Sequence, residues 1–368
     1  MKKIEKKEFE KPRRCVSGKR FYNYTKETRL GFLSRSIVMI IKSWWIRRKT
    51  NTLNNIDSWF CKSEPVACSI HPKITWIGHA SFLIQIGGVN ILTDPVLREP
   101  SALFPRYLPL GVSVDKMPNI DFVLLSHNHP DHMDTSSLLK LKEHNGTHFL
   151  VPQGDKLWFD QKSFARTREY TWWQKDAFSL SYDSSKTITF TFLPANHWSL
   201  RTLFGQRNKS LWGGWMIECN GHTIYFAGDT SYDSHFKEIS HKFKNIDVAL
   251  MPIGPCEPKH WVGSSHVDAV EAGQAFLDLQ AKHFIPMHWG TFPMGTELYD
   301  TPIVRLKKWW KENTALLEDK KLCMIKVGQP FEFASQAKSK MQNQQHQADM
   351  PSINIVSETK KPSKILEK

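Results

Sequence analysis

A cluster of four side chains of the kind that bind metal ions constrains this 368-residue chain more than any other feature. The motif reads H-x-H-x-D-H and consists of His127, His129, Asp131 and His132. It follows the apolar run at residues 122–125, so a buried strand is expected to end where the polar cluster begins. Imidazole nitrogen and carboxylate oxygen are ligands that zinc and similar ions accept. The spacing predicts a metal site on a loop, where the first two ligands face one ion and the last two face a second.

Three later strand-like runs also end in a ligand-type residue. The runs are residues 188–193, 223–227 and 283–287, and the residues that follow them are His197, Asp229 and His288. A single histidine or aspartate at a strand end most often has a structural role. The prediction of a metal site therefore depends on all four strand-like runs ending in ligand-type residues, and one such run would not be sufficient.

Longer strings make the chain resemble the metallo-β-lactamase superfamily and, within it, the N-acylphosphatidylethanolamine-hydrolysing phospholipases D. The strings are WIGHAS at 76–81, LTDP at 92–95, PANHW at 194–198, FAGDT at 226–230, PIG at 252–254, EP at 257–258, HVD at 266–268 and HWGTF at 288–292. The resemblance covers about residues 70–310. Asn196 departs from the family, which has glutamine before this histidine, but the ligand His197 stays in place.

The resemblance implies a ligand set for two metal ions, which we expect to be zinc, with manganese and iron also compatible with these ligands. His127, His129 and His197 would hold the first ion. Asp131, His132 and His288 would hold the second. Asp229 would bridge the two. Asp131 would also orient the attacking hydroxide. His266 would contact the substrate phosphate, and the alternative is that it only caps the helix that begins there.

The resemblance also implies the fold and the activity. The expected fold is an α/β (α+β) four-layer αβ/βα sandwich, in which two sheets pack together with helices outside. The expected reaction is hydrolysis of N-acylphosphatidylethanolamine at phosphorus by a hydroxide between the metal ions. Its products would be N-acylethanolamine and phosphatidic acid.

Several further residues have competing interpretations. Asp94 either steadies a metal-binding histidine or caps a turn. His79 is expected to be structural, and His235, His241 and His260 are expected at the surface. Four tryptophans either wall an acyl groove or fill the core; they are Trp198, Trp212, Trp215 and Trp261.

The positive charge of the chain is concentrated in its terminal segments. Residues 1–50 contain 16 Lys and Arg against 4 Asp and Glu, and residues 335–368 contain 6 Lys against 3 acidic residues. These segments account for nearly all of the net charge of +14, so the body between them is close to neutral. Basic segments of this kind attract phosphates of nucleic acids or of anionic membranes.

The sequence pattern at residues 29–48 predicts a basic amphipathic helix. Its apolar face repeats at helical spacing and consists of Leu33, Ile37, Ile40, Ile41, Trp44 and Trp45. The unbroken apolar run is too short to span a bilayer, which needs about 20 apolar residues. The helix suits the membrane interface, and packing on the protein itself or on a partner chain is the alternative. Deleting residues 1–48 is expected to reduce vesicle binding and lipid turnover, while the turnover of a water-soluble phosphodiester substrate is unchanged.

We therefore predict three parts: a basic arm at 1–69, a catalytic domain at 70–334 and a disordered polar tail at 335–368. The expected partners are a phospholipid substrate and an anionic membrane surface, with no nucleic acid, and a homodimer is left open. No signal peptide or transmembrane span is evident, and the six scattered cysteines indicate reduced thiols. The expected location is cytoplasmic and peripheral to a membrane.

Two other functions compete with the phospholipase. The same fold could support a soluble lactonase that acts on sugar phosphates or acyl lactones. The charge alone also suggests a nucleic-acid phosphodiesterase, but the near-neutral body argues against it because nuclease channels are usually basic. Activity on lipid vesicles compared with soluble lactones separates the first two hypotheses, and a salt-dependent gel shift would support the third.

Overall fold

Two seven-stranded sheets form the centre of the molecule. The computed structural model describes residues 13–14, 20–23, 56–98, 106–143, 146–181, 183–202 and 205–333. The predicted amphipathic helix at 29–48 and the predicted tail at 335–368 lie outside the described residues. The domain boundaries stay a prediction.

Each sheet has a parallel half and an antiparallel half, and a separate short hairpin pairs β1 (Arg13–Arg14) with β2 (Phe21–Tyr22). In spatial order the first sheet contains β16 (Pro330–Glu332), β3 (Lys73–Gly78), β4 (Ser81–Ile86), β5 (Val89–Thr93), β6 (Phe122–Leu124), β7 (His148–Pro152) and β8 (Thr167–Tyr170). The second sheet contains β15 (Lys321–Leu322), β14 (His283–Met287), β13 (Val248–Pro252), β12 (His222–Phe226), β11 (Gly214–Cys219), β10 (Asp183–Leu193) and β9 (Lys175–Leu180).

The helices connect the strands and cover the sheets. They are α1 (Ile56–Trp59), α2 (Thr135–Lys142), α3 (Lys156–Gln161), α4 (His235–Lys242), α5 (Lys259–Val262), α6 (Ala269–Leu279) and α7 (Thr301–Glu312). Helix α6 packs on β13 and against α4 and α7. It begins at the capping box of Asp268 and Glu271, which satisfies backbone N–H groups at the helix start. Among the described residues, no helix is both long enough and apolar enough to cross a membrane.

Successive side chains along a strand of the first sheet point to opposite faces, and each face packs into a different apolar core. In β4, Phe82 and Ile84 point into the large core between the sheets, whereas Leu83 belongs to a second core. The second core also contains Leu138 of α2 and Phe159 of α3, so these helices cover the outer face of the sheet. The sequence alternation in β4 thus distinguishes two buried faces. This arrangement confirms the predicted four-layer αβ/βα sandwich.

Part of the N-terminal region packs on the sandwich. Phe21 is buried, and Phe60 pairs with Val327 in an isolated bridge. A deletion of residues 1–48 would also remove Phe21 from this packing, so it would not separate a membrane role of the segment from a structural one, and the deletion result stays a prediction. An N-terminal variant must leave residues 20–23 in place.

The carboxyl ends of five strands meet at one edge of the sandwich. Strands β5 and β6 are parallel in the first sheet, and β10, β12 and β14 run in one direction in the second. The indole of Trp215 in β11 donates to the carbonyl oxygen of Leu125 at 2.9 Å and joins the two sheets at this edge. The residues that follow these strands are therefore brought together, although the sequence separates them by up to 194 positions, from Asp94 to His288.

Candidate metal centre

The loop that follows β6 carries the H-x-H-x-D-H motif. Its first turn is held by Asp94, whose carboxylate accepts from the backbone N–H of Ser126 at 2.7 Å and from the Ser126 hydroxyl at 2.5 Å. Gly228, after β12, approaches Ser126 so closely that an added Cβ would lie 2.4 Å from the Ser126 Cβ, and its φ is +61°. Only glycine fits this position without strain, and the close approach brings Asp229 next to the histidine loop.

Three histidines form the first group of candidate ligands. Nε2 of His127 lies 2.8 Å from Nδ1 of His129, and Nε2 of His197 lies 3.3 Å from the same Nδ1. Nitrogen ligands at about 2.0–2.1 Å from a tetrahedral zinc ion stand roughly 3.3 Å apart. The three nitrogens are therefore spaced approximately as neighbours around one ion.

A second group of ligands lies beside the first. Nε2 of His132 is 3.5 Å from Oδ2 of Asp131, and Nε2 of His288 is 3.9 Å from the same oxygen. Oδ2 of Asp229 lies between the two groups. It is 3.2 Å from His132 and His288 and 3.9 Å from His127 and His197. The structure thus brings together all seven predicted ligands.

Each of four histidines is held from behind through its other ring nitrogen. Nδ1 of His132 pairs with Asp94 at 2.7 Å, Nδ1 of His197 with the Ser265 carbonyl at 2.7 Å, Nδ1 of His288 with the Gly254 carbonyl at 3.0 Å and Nδ1 of His127 with the Ser126 hydroxyl at 2.9 Å. This leaves Nε2 of each ring directed into the cluster, the usual arrangement around a protein-bound metal. The contact of Asp94 with His132 agrees with the interpretation that Asp94 steadies a metal-binding histidine.

Burial and mutual charge determine the protonation of the cluster. Burial lowers the pKa of His129 and of His197 to about 3, so their rings are neutral near pH 7 and keep a lone pair for a metal. Burial opposes the charged form of Asp229, but His132 and His288 hold its pKa well below the usual range. Burial likewise opposes charge on His132, but Asp229 and Asp131 raise its pKa well above the usual value.

The donor set fits divalent metal ions. Among the described residues, Nε2 of His132, Nε2 of His288 and Oδ1 of Asp229 are buried without a hydrogen-bond partner. Unpartnered buried polar atoms are costly unless another group satisfies them. Here they converge with two carboxylates and further imidazoles, which are the ligands zinc, manganese and iron accept. The site therefore suits cations and not a purely structural hydrogen-bond network.

Two residues mark the open side of the cluster. The side chains of Asp131 and His266 are 15% and 14% exposed, while those of His132, His197 and His288 are fully buried. Nδ1 of His266 lies 3.6 Å from Oδ2 of Asp229 and has no hydrogen-bond partner. The cluster is therefore open to solvent on the side of Asp131 and His266.

His79 belongs to this site, which the sequence alone did not predict. Nε2 of His79 lies 3.0 Å from Oδ2 of Asp131, and the His79 ring is 4.0 Å from that of His288. Its φ is +55°, and the indole of Trp76 donates to its carbonyl oxygen at 2.9 Å. The available signal was its place at the end of β3, in the string WIGHAS that carries the family resemblance.

Other sequence interpretations divide between core and site. Trp212 and Trp215 are fully buried in the large core, whereas Trp198 is half-buried and its ring lies 4.1 Å from that of His129. His235 is buried, with Nε2 at 3.2 Å from the Thr230 hydroxyl, so its expected surface position was wrong. The short helix α4 places it beneath the loop that carries Asp229 and Thr230, a contact between elements that local sequence does not reveal. His241 and His260 are exposed as expected, and the cysteines of the described residues are free.

The sandwich and its histidine–aspartate cluster define a metal-dependent hydrolase of the metallo-β-lactamase fold. The chain matches the Beta-lactamase superfamily domain over residues 89–289 and belongs to this family. It is 34% identical over 247 residues to N-acyl-phosphatidylethanolamine-hydrolyzing phospholipase D 1 of Caenorhabditis elegans. The match covers 64% of this chain and 68% of the worm protein. The family resemblance of the sequence is thereby confirmed.

A yeast protein and a solved structure extend the comparison. The chain is 32% identical over 254 residues to the mitochondrial N-acyl-phosphatidylethanolamine-hydrolyzing phospholipase D of Saccharomyces cerevisiae, and the match spans 67% of this chain but only 53% of the yeast protein. A metallo hydrolase of the archaeon Ignicoccus hospitalis superposes with a TM-score of 0.54 at 23% identity, covering 72% of this chain and 99% of that chain. This last likeness supports the fold alone.

Proposed function

We propose that the chain is a zinc-dependent phosphodiesterase of the phospholipase D type, which hydrolyses N-acylphosphatidylethanolamine to N-acylethanolamine and phosphatidic acid. The observation that carries the proposal is the position of Asp229 between two groups of ligands, in a chain 34% identical to a worm enzyme with this name. Paired metal sites of this kind suit the hydrolysis of phosphodiesters.

The proposed metal assignment follows the two groups. His127, His129 and His197 hold the first ion. Asp131, His132 and His288 would hold the second ion, and Asp229, which lies between the two groups, would serve as a ligand to both ions. Two bound zinc ions lower the pKa of water and neutralise charge on a phosphoryl group.

Residues on the open side take the proposed catalytic roles. Asp131 is a carboxylate at the opening, and its hydrogen bond to His79 fixes its orientation. It can therefore orient the attacking water. His266 is the other ring at the opening, and we assign it a contact with the substrate phosphate.

A basic group near the cluster supports an anionic substrate over a neutral lactone. The guanidinium of Arg207 lies 4.5 Å from the centre of the Trp198 ring, which in turn contacts His129. A guanidinium in this position attracts a phosphodiester by charge, whereas a lactone gains nothing from it. This charge ranks the phospholipase above a lactonase of the same fold. A nucleic-acid phosphodiesterase ranks below the phospholipase because the body of the chain is close to neutral.

Hydrolysis in heavy-oxygen water tests both the substrate and the bond that is cleaved. We expect the label in phosphatidic acid and none in N-acylethanolamine, because the attack occurs at phosphorus. The substrate panel contains lipid vesicles, soluble lactones and a single-stranded nucleic acid. Label in the ethanolamide, release of free fatty acid, or faster turnover of a lactone than of the lipid would contradict the proposal.

We also propose that the basic segment at residues 29–48 docks the enzyme on anionic membranes. Replacing Trp44 and Trp45 with alanine is expected to weaken binding to anionic vesicles at least tenfold, because burial of one large apolar side chain contributes about 1.5–3 kcal/mol. Replacing Arg47 and Arg48 with glutamine removes about 1 kcal/mol per charge at an anionic surface. This second variant should lose affinity for anionic vesicles only, and co-sedimentation with neutral vesicles is the control.

These four substitutions leave residues 20–23 in place, so turnover of a water-soluble phosphodiester should not change. Equal co-sedimentation of all variants with anionic vesicles would show that the segment is not the anchor. Loss of solubility or of bound metal in the tryptophan variant would show instead that its apolar face packs on the protein.

A further inference from the structure

The segment at residues 20–23 reaches the candidate metal centre from the far end of the sequence. The side-chain amide of Asn23 donates to the carbonyl oxygen of His197 at 2.9 Å, and its Oδ1 accepts from the backbone N–H of His197 at 3.1 Å. The indole of Trp212 donates to the same Oδ1 at 2.9 Å. Asn23 thus pairs with both backbone polar groups of His197, much as a neighbouring strand would.

A second reciprocal pair fastens this segment to the same loop. The backbone N–H of Phe21 donates to the carbonyl oxygen of Asn208 at 2.9 Å, and the Asn208 side-chain amide donates back to the Phe21 carbonyl at 3.2 Å. The Phe21 side chain is buried in the large core and anchors the segment. Ser199 joins the arrangement, since its backbone N–H donates to Oδ1 of Asn208 at 3.2 Å.

The loop after β10 needs such support. His197 follows the last residue of β10 by four positions, and the described residues between β10 and β11 form neither helix nor strand. Its backbone N–H and carbonyl therefore have no ladder partner, yet both are buried and must be satisfied. Asn23 supplies both partners, while the Ser265 carbonyl holds the ring at Nδ1.

We propose that Asn23 is a positioning residue for His197, so that a segment of the basic arm completes the first metal site. His197 is held at its backbone by Asn23 and at its ring by Ser265, and both contacts are needed to direct Nε2 at the other two histidines. This role rests on the proposed metal centre and not on the identity of the substrate. The N-terminal segment is therefore part of the catalytic machinery, in addition to any membrane contact it makes.

The test compares full-length variants loaded with metal. Asn23→Ala removes all three contacts. Asn23→Asp keeps an acceptor for the His197 N–H and the Trp212 indole but cannot donate to the His197 carbonyl. The matched control is Asn90→Ala, because the side chain of Asn90 also makes three hydrogen bonds, to Ala67, Asn119 and Gln85, and is buried in the first sheet away from the cluster.

Chelator competition measures the affinity of each metal site, and the visible spectrum of the cobalt-substituted protein reports the ligand geometry. We expect Asn23→Ala to weaken one of the two sites by roughly 10–100-fold, as changes just outside a ligand shell do, and to alter the cobalt spectrum. Asn23→Asp should lie between Asn23→Ala and the wild type. Asn90→Ala should lower the melting temperature and leave both metal affinities and the spectrum unchanged.

Equal metal affinities and an unchanged cobalt spectrum in Asn23→Ala would overturn the positioning role, even if its melting temperature fell. If Asn23→Ala does not fold, Asn23→Asp decides by the same two readouts. A wild-type chain that binds no divalent metal would overturn the metal centre and this role with it. A wild-type chain that binds two ions, with variants that bind them equally well, would overturn the role of Asn23 alone.

Discussion

Replacing Asp229 with asparagine is expected to lower hydrolytic activity roughly a thousandfold or more, because metal ions contribute several kcal/mol to the transition state and each 1.36 kcal/mol is a factor of ten. The substitution keeps the shape of the side chain but removes the one charge that contacts histidines of both groups. We expect the metal content to fall from about two ions per chain to one or fewer. Elemental analysis and turnover of a soluble phosphodiester measure the two effects.

Substitutions of two other carboxylates give activity losses with which this result can be compared. Asp94→Asn alters the contacts of Asp94 with His132 and Ser126 but removes no candidate ligand, so a loss of roughly 10–100-fold is expected, typical of residues just outside the ligand shell. Asp247→Asn is the matched control. Asp247 is a buried carboxylate that precedes β13, at the opposite edge of the sheet, where it pairs with Lys282 at 2.7 Å. It should cost stability and leave metal content intact. Full activity of Asp229→Asn would rule out a bridging role.

The sequence predicts which side chains meet in this cluster because most of them follow strands. The ends of β6, β12 and β14 are short apolar runs, and a ligand at the end of such a run can be read from local pattern. Parallel strands then bring their carboxyl ends to one edge, so that topology assembles what the sequence separates. The four-layer fold follows from the family resemblance, and the structure confirms it.

Contacts between distant segments could not be predicted in this way. Asn23 lies 174 positions from His197, in a charged segment without an apolar period, and its role depends on a pairing that only the tertiary structure reveals. His79 was missed because a lone histidine near a turn carries no chemical signal until Asp131 lies beside it. Trp212 and Trp215 show the reverse case, since aromatic residues near ligand motifs in the sequence proved to fill the core.

Without metal the cluster is energetically costly, since it buries the Asp229 carboxylate and several imidazoles with unpartnered atoms. Removing the metal ions with a chelator is therefore expected to abolish activity and to lower the melting temperature by about 10 °C. The estimate counts the loss of one ion present at about a thousand times its dissociation constant, worth about 4 kcal/mol, and a shift of about 2–4 °C per kcal/mol for a domain of this size.

The drop in melting temperature on chelation should change only in variants that lack a metal ligand. Asp247→Asn should show the same drop in melting temperature on chelation as the wild type, because its contacts lie at the opposite edge of the sheet. Asp229→Asn should show a smaller drop than the wild type, because it holds fewer ions for the chelator to remove. Zinc, manganese and ferrous iron, added back one at a time, identify which ion restores both activity and melting temperature. A metal-free chain with full activity and an unchanged melting temperature would leave the seven side chains as a buried polar network and end the case for a metallohydrolase.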